Sequence, residues 1–165
     1  MNLSEPRTKL HTEETELVVV RKRFEDLTLN DLYALLRLRA AVFVVEQKCP
    51  YQDLDDRDQK AIHLWLQDGE KMVAYLRIMD RGIESMDVSI GRVISARRHM
   101  GIGSRLLREG IRTAKECFGA ERIYLEAQTC ARQFYERQGF QALPGEFLMD
   151  SIPHVRMILD CHDQY

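Results

Sequence analysis

A strand-like run from Ile90 to Ala96 passes through Arg98-His99-Met100-Gly101-Ile102-Gly103-Ser104 into an amphipathic helical pattern that stops at Gly119. Two glycines spaced by one residue let backbone amides turn inward without a Cβ in the way. The helix behind them aims its unpaired N–H groups and positive dipole end at the same spot. The segment reads as an anion cradle, and a pyrophosphate fits it. Ile102, Leu106, Leu107, Ile111, Ala114 and Phe118 fall on one helix face opposite Arg105, Arg108, Glu109, Arg112 and Glu116, and Gly119 is placed to cap it. Such a helix buries its apolar stripe only against another layer, which calls for a sheet.

The rest of the chain supplies one. Leu17 to Phe24 has the β-branched density of a first strand. Thr28 stands three residues before Asp31 as in a capping box, and helical spacing then runs through Leu32, Leu35, Leu36, Arg39 and Phe43 to Cys49-Pro50. Ala61–Leu66 and Met72–Met79 bracket Asp68-Gly69-Glu70, a hairpin signal, and a third strand follows the loop near Gly82. Arg122–Gln128, a short helix around Phe134 ending at Gly139, and strands near Phe140–Leu143 and His154–Leu159 complete the order β-α-α-β-β-β-α-β-α-β-β. This is an α/β chain with a mixed sheet of the α+β kind. The 165 residues suit one domain, expected over residues 17 to 165 after a flexible lead-in over residues 1 to 16.

Composition narrows the partners. The 24 basic and 26 acidic residues leave a formal net charge of -2, so no global field draws nucleic acid or an anionic membrane. No run approaches the roughly 18 apolar residues of a membrane span, and the N-terminus has no apolar leader. Cys49, Cys117, Cys130 and Cys161 lie far apart with neither a CxxC pair nor zinc-type histidine spacing. They read as reduced thiols, and the cytoplasm is the expected compartment. Asp53, Asp55, Asp56 and Asp58 form an acidic loop, expected to be solvated unless it attracts a cationic amine. Its spacing lacks the glycine and the distal glutamate of a calcium loop, so no metal is implied. Trp65, in the second strand, is expected in the core.

A dinucleotide fingerprint would need a small residue where Leu106 stands, and a phosphate-binding P-loop would need Gly-Lys-Ser/Thr, which is absent. What remains, Arg98-x-x-Gly101-x-Gly103 followed by a strand and then Ala131-x-x-Phe134-Tyr135-x-x-x-Gly139-Phe140, resembles the coenzyme A loop and second coenzyme-contacting segment of the GNAT N-acetyltransferase superfamily. Arg39-Ala40-Ala41-Val42-Phe43-Val44-Val45-Glu46-Gln47, Cys49-Pro50-Tyr51, Gly91-Arg92-Val93-Ile94, Leu125-Glu126-Ala127-Gln128 and Ile152-Pro153-His154 are similar to its ElaA-like subgroup. The resemblance implies the GNAT acyl-CoA N-acyltransferase fold: a central, mostly antiparallel sheet of roughly six to seven strands flanked by about four helices. It implies acetyl-CoA as co-substrate and a small-molecule or peptide amine as acceptor. A homodimer is compatible with it, and the acceptor's identity is not given.

Acetyl transfer to an amine needs a neutral nucleophile, a polarised thioester carbonyl and a proton for the departing thiolate. The family fold implies that strand Ile90–Ser95 splays from its neighbour, so that the pantetheine arm pairs with freed backbone and an amide at Val93 or Ile94 binds the acetyl oxygen. Arg98, Gly101, Ile102, Gly103 and Ser104 are the expected phosphate contacts; the alternatives are a plain turn at the glycines and a solvated Arg98. Tyr135, with an ordinary phenol pKa of ~10, is the expected general acid, against the alternative of a packing aromatic beside Phe134. The base stays open among Glu46, His63, Glu126 and His154, or a water relaying to one of them. Glu126 and His154 are the preferred pair, while His63 lies in an apolar run that equally suits a structural imidazole. Two further readings are a cysteine relay through Cys130 and a non-catalytic acyl-CoA sensor or interaction module.

Overall fold

A computed structural model describes residues 16–98 and 100–162, so His99 and all of the expected lead-in except Glu16 lie outside the described residues. Seven strands form one sheet in the order β1-β2-β3-β4-β5-β7-β6: β1 (Val18–Arg23), β2 (Ala61–Asp68), β3 (Lys71–Met79), β4 (Val88–Ser95), β5 (Arg122–Gln128), β6 (Gln141–Met149) and β7 (Ile152–Asp160). All neighbours are antiparallel except β4 and β5, whose parallel pairing requires a crossover. Helix α2 (Ile102–Phe118) is that crossover, and it packs across β2, β3 and β4.

The two sheet faces carry separate cores. On one, Leu106, Leu107, Ile111 and Ala114 of α2 meet Leu64, Leu76, Val88, Ile90, Ile123, Leu125 and Met157. The approach is close because Gly110 has no side chain: a Cβ there would lie 2.7 Å from Leu76 Cδ2. On the other face, helix α1 (Leu29–Arg39) packs on β3, with Leu35, Val42, Phe43, Trp65, Tyr75 and Ile94 buried together. The capping box forms as expected, Asp31 N–H donating to Thr28 Oγ1 at 3.0 Å and Thr28 N–H to Asp31 Oδ2 at 2.9 Å.

Helix α1 runs on as a π-helical stretch, Ala40–Glu46, in which the Gln47 amide reaches back to Val42 O at 2.8 Å. These widened turns bury Val42 and Phe43 and leave Val44 and Val45 exposed. After β5, a 3-10 turn (Thr129–Ala131) leads into the short helix α3 (Arg132–Glu136), which packs on β5 and β6. Strands β6 and β7 run longer than their sequence signals. They join through Asp150-Ser151, both at positive φ (47° and 67°), and β6 passes through an irregularity at Pro144-Gly145 instead of stopping there.

Candidate active site

The ladder between β4 and β5 pairs only Val88 with Ile123 and Ser89 with Tyr124. Beyond Ser89 the strands part, as expected for Ile90–Ser95, and main-chain groups of β4 and β5 are left without each other. Within the parted stretch β4 carries a bulge against β3. Between Gly91, opposite Arg77, and Ile94, opposite Tyr75, β4 holds one residue more than β3. This bulge turns Arg92 to a φ of 54°. It also reverses the alternation: Val88 and Ile90 face α2, yet past the bulge it is Val93 that packs on the α2 side and Ile94 on the α1 side.

Helix α2 starts next to the opening. Gly101, at a φ of 71°, occupies its N-cap position, no side chain caps the first turn, and the first intrahelical bond runs from Arg105 N to Gly101 O at 3.0 Å. The amides of Ile102, Gly103 and Ser104 therefore have no acceptor within the helix. The two segments singled out in the sequence meet here. A Cβ on Gly103 would touch the Phe134 ring at 3.5 Å, and Gln138 Nε2 donates to Ser104 Oγ at 3.1 Å. Gly103 thus also serves close packing of α2 against α3. Arg98 is exposed and ion-paired with Glu46, which brings the end of the π-helical stretch to the mouth of the loop.

Tyr135 is buried, its ring edge-on to Phe134 at 5.0 Å and to Phe140 at 6.0 Å. Burial raises its phenol above the ordinary value, so the group is held protonated. Glu126 accepts a hydrogen bond from Tyr124 OH at 2.8 Å, and burial together with that carboxylate raises the Tyr124 phenol too. His154 is opposite both Gln128 on β5 and Phe147 on β6. Its Nδ1–H donates to Ile152 O at 2.7 Å, which leaves Nε2 as the acceptor nitrogen of the neutral ring. Tyr124, Glu126, Gln128 and His154 share the sheet face opposite α2, since Ile123, Leu125, Ala127 and Val155 face the α2 core. Gln128 Nε2 ties that face to the π-helical end through Gln47 Oε1 at 3.1 Å.

One open alternative closes and one expectation changes. His63 is a structural imidazole: fully buried, it contacts Asp58 O at 2.9 Å through Nε2 and Tyr75 OH at 2.7 Å through Nδ1, and burial lowers its pKa. The carbonyl can only accept, so Nε2 carries the proton and Nδ1 accepts from the phenol. The acidic loop is solvated at Asp56, which is exposed, but largely withdrawn from water at its other three carboxylates. Asp53 and Asp58 are buried, and with Asp55 they pair with Arg39, Arg77 and Arg92, three cations the sequence leaves scattered. Trp65 is in the core as expected. Cys130 is exposed, and its thiol donates to Gln128 Oε1 at 3.8 Å. Two shallow depressions elsewhere, beside Arg21 and Glu116 and beside Arg122 and Asp87, are lined by charges that already pair with one another. Among the described residues no helix is long and apolar enough to cross a membrane, and no cluster of His, Cys, Asp or Glu could hold a metal.

Comparison with known proteins agrees with this geometry. Residues 25–161 match the family model described as an acetyltransferase (GNAT) domain. Protein ElaA of Escherichia coli is 39% identical over 138 residues, covering 80% of this chain and 89% of ElaA. Its crystal structure superposes with a TM-score of 0.81 at 34% identity, covering 88% of this chain and all (100%) of that one. An acyl-CoA N-acyltransferase from Pseudomonas aeruginosa gives a TM-score of 0.80 at 40% identity, covering 86% of this chain and 99% of the other. The parted strands, the uncapped helix and these likenesses converge: the chain belongs to the GNAT acetyltransferases and, within them, to the ElaA-like group.

Proposed function

We propose that this protein transfers an acetyl group from acetyl-CoA to a primary amine, the amine attacking the thioester directly while both substrates are bound. The observation that carries the reading is the opening between β4 and β5 beside the uncapped first turn of α2. The residues present fit the coenzyme. Gly101, Ile102, Gly103 and Ser104 offer main-chain amides to the pyrophosphate, and exposed Arg98 can exchange Glu46 for a phosphate oxygen. Val93 and Ile94 offer main-chain groups to the pantetheine arm and the acetyl oxygen. Acetyl-CoA supplies the activated acyl group and a thiolate leaving group. Tyr135, a protonated phenol on the short helix that packs against the start of α2, is assigned the proton that the leaving sulfur needs. Nε2 of His154, left as an acceptor, and the carboxylate of Glu126 are assigned the proton from the attacking amine, directly or through water.

The four free thiols fit a reducing, cytoplasmic setting. A relay through Cys130 is disfavoured, because among the described residues its thiol bonds to the Gln128 amide oxygen and to no histidine or carboxylate. A sensor that binds acyl-CoA without turnover would need neither a proton donor for a leaving thiolate nor an acceptor for an amine proton. The test is an amine panel, from polyamines to amino sugars and peptide termini, incubated with acetyl-CoA and read by thiol release, with calorimetry for binding. Release with at least one amine supports the transferase. Tight binding with no release from any amine would establish the sensor.

A further inference from the structure

The acidic loop and the bulge in β4 are one construction. Arg92 holds a left-handed backbone conformation, which a side-chain-bearing residue rarely keeps without help. The help is a fork: Nε donates to Asp53 Oδ1 at 2.7 Å and Nη2 to the Asp53 carbonyl at 2.9 Å, while the guanidinium sits 5.3 Å from the Tyr51 ring centre. Asp53 is itself fixed, since Arg39 Nε donates to its Oδ2 at 2.9 Å and Arg39 Nη2 to the same carbonyl at 2.8 Å. Arg39 is wholly buried at the end of α1. One strand away, Arg77 grips Asp55 and Asp58, and its Nε lies where a Cβ on Gly91 would come within 4.0 Å. The loop thus reaches from α1 to the one residue at which β4 changes its phase.

We propose that the Asp53–Arg92 pair is a positioning device for the coenzyme arm. Tethering Arg92 to a loop anchored on α1 maintains the bulge, and the bulge sets which way the main-chain groups of Val93 and Ile94 point into the opening. Neither side chain touches the coenzyme in this account. Both act through the backbone that follows, and the inference rests on the acyl-CoA reading given above.

Two properties separate this role from general stabilisation. The loop acts on the strand that faces the pantetheine arm, whereas the phosphate cradle lies at the start of α2. An altered Arg92 therefore weakens acetyl-CoA more than the coenzyme's 3′-phosphorylated ADP half, which has no arm. Glycine accepts a positive φ without strain, so Arg92→Gly removes the tether while leaving the backbone conformation permitted. Arg92→Lys keeps the charge and loses the fork.

The experiment is equilibrium calorimetry of the full-length protein and both variants with acetyl-CoA and with the ADP half. For Arg92→Gly the expected result is roughly tenfold weaker acetyl-CoA binding with the ADP half unchanged, and for Arg92→Lys a smaller loss of the same pattern. Wild-type affinity for acetyl-CoA in both variants, or equal losses for the two ligands, overturns the positioning role and leaves the acyl-CoA reading intact. If Arg92→Gly does not fold, Arg92→Lys decides by the same comparison. Failure of the unaltered protein to bind acetyl-CoA would instead sink the acyl-CoA reading, and this inference with it.

Discussion

Tyr135 combines a buried ring with a phenol whose protonated form is favoured, the state a general acid must start from. Replacing it with Phe preserves the ring contacts to Phe134 and Phe140 and removes only the hydroxyl. Turnover is expected to fall by roughly 10²-fold with acetyl-CoA affinity little changed; steady-state rates and calorimetry check the two halves, and equal rates would refute the assignment. Cys130→Ser is expected to leave turnover at the wild-type level, since the exposed thiol bonds to an amide oxygen, which does not activate it. His63 and the aspartates mark where single residues mislead. An imidazole in an apolar run is compatible with catalysis or structure until its two nitrogens are seen to be occupied. Carboxylates crowded in a loop suggest solvent because their arginine partners are 14 to 39 residues away in the chain.

At the scale of elements, local signals were sufficient wherever one residue type controls the backbone. Thr28 and Asp31 marked the start of α1, Gly69 the β2–β3 turn, and Gly101 and Gly119 the two ends of α2. The signals failed where tertiary pairing overrode them. The strand expected near Phe140–Leu143 continues through Pro144-Gly145 because β7 supplies a partner beyond it, and the hairpin turn uses Asp150-Ser151 with no glycine to announce its positive φ. The bulge in β4 has the same character: Arg92 gives no hint of it. Gly110 is an element-scale demand, set by the fit of α2 on Leu76. Gly110→Val is expected to destabilise the fold by about 1–3 kcal/mol through overpacking, measured by denaturant titration, and unchanged stability would contradict the close approach. Gly103→Arg is expected to abolish acetyl-CoA binding, because its side chain must displace Phe134 or fill the cradle. Retained affinity in calorimetry would rule the cradle out.

For the molecule as a whole, the Arg39, Arg77 and Arg92 network with Asp53, Asp55 and Asp58 ties α1 to β3 and β4 and makes stability depend on pH. Burial opposes ionisation of Asp55, but Arg77 and Arg92 outweigh it and hold its pKa at about 2. Asp58 is lowered too, with burial again opposed by Arg39 and Arg77. A carboxyl depressed in the folded state contributes stability that is complete above its unfolded value of ~4 and is lost as pH falls through the folded value. For Asp55 alone the loss is about 2 kcal/mol between those limits. His63, lowered by burial, adds an earlier loss: the unfolded ring gains a proton below pH ~6.5 while the folded one resists. The melting temperature is therefore expected to decline from pH 7 to 5 and more steeply below 4. A flat profile in thermal melts across that range would exclude both contributions.

What the amino-acid sequence determined by itself is whatever depends on neighbours within a few positions: the order of strands and helices, the apolar stripe of α2, and the glycine-framed turn into it. Backbone sterics and 3.6- or 2-residue periodicity are local properties, so a linear reading captures them. Only the tertiary structure decided that a bulge at Arg92 shifts the phase of β4, that most of an apparently solvated acidic loop is a brace withdrawn from water, and that Nε2 of His154 is left as an acceptor while Nε2 of His63 donates. Those outcomes depend on which distant groups share a low-dielectric interior, where an unpaired charge or an unmet hydrogen bond is too costly to leave.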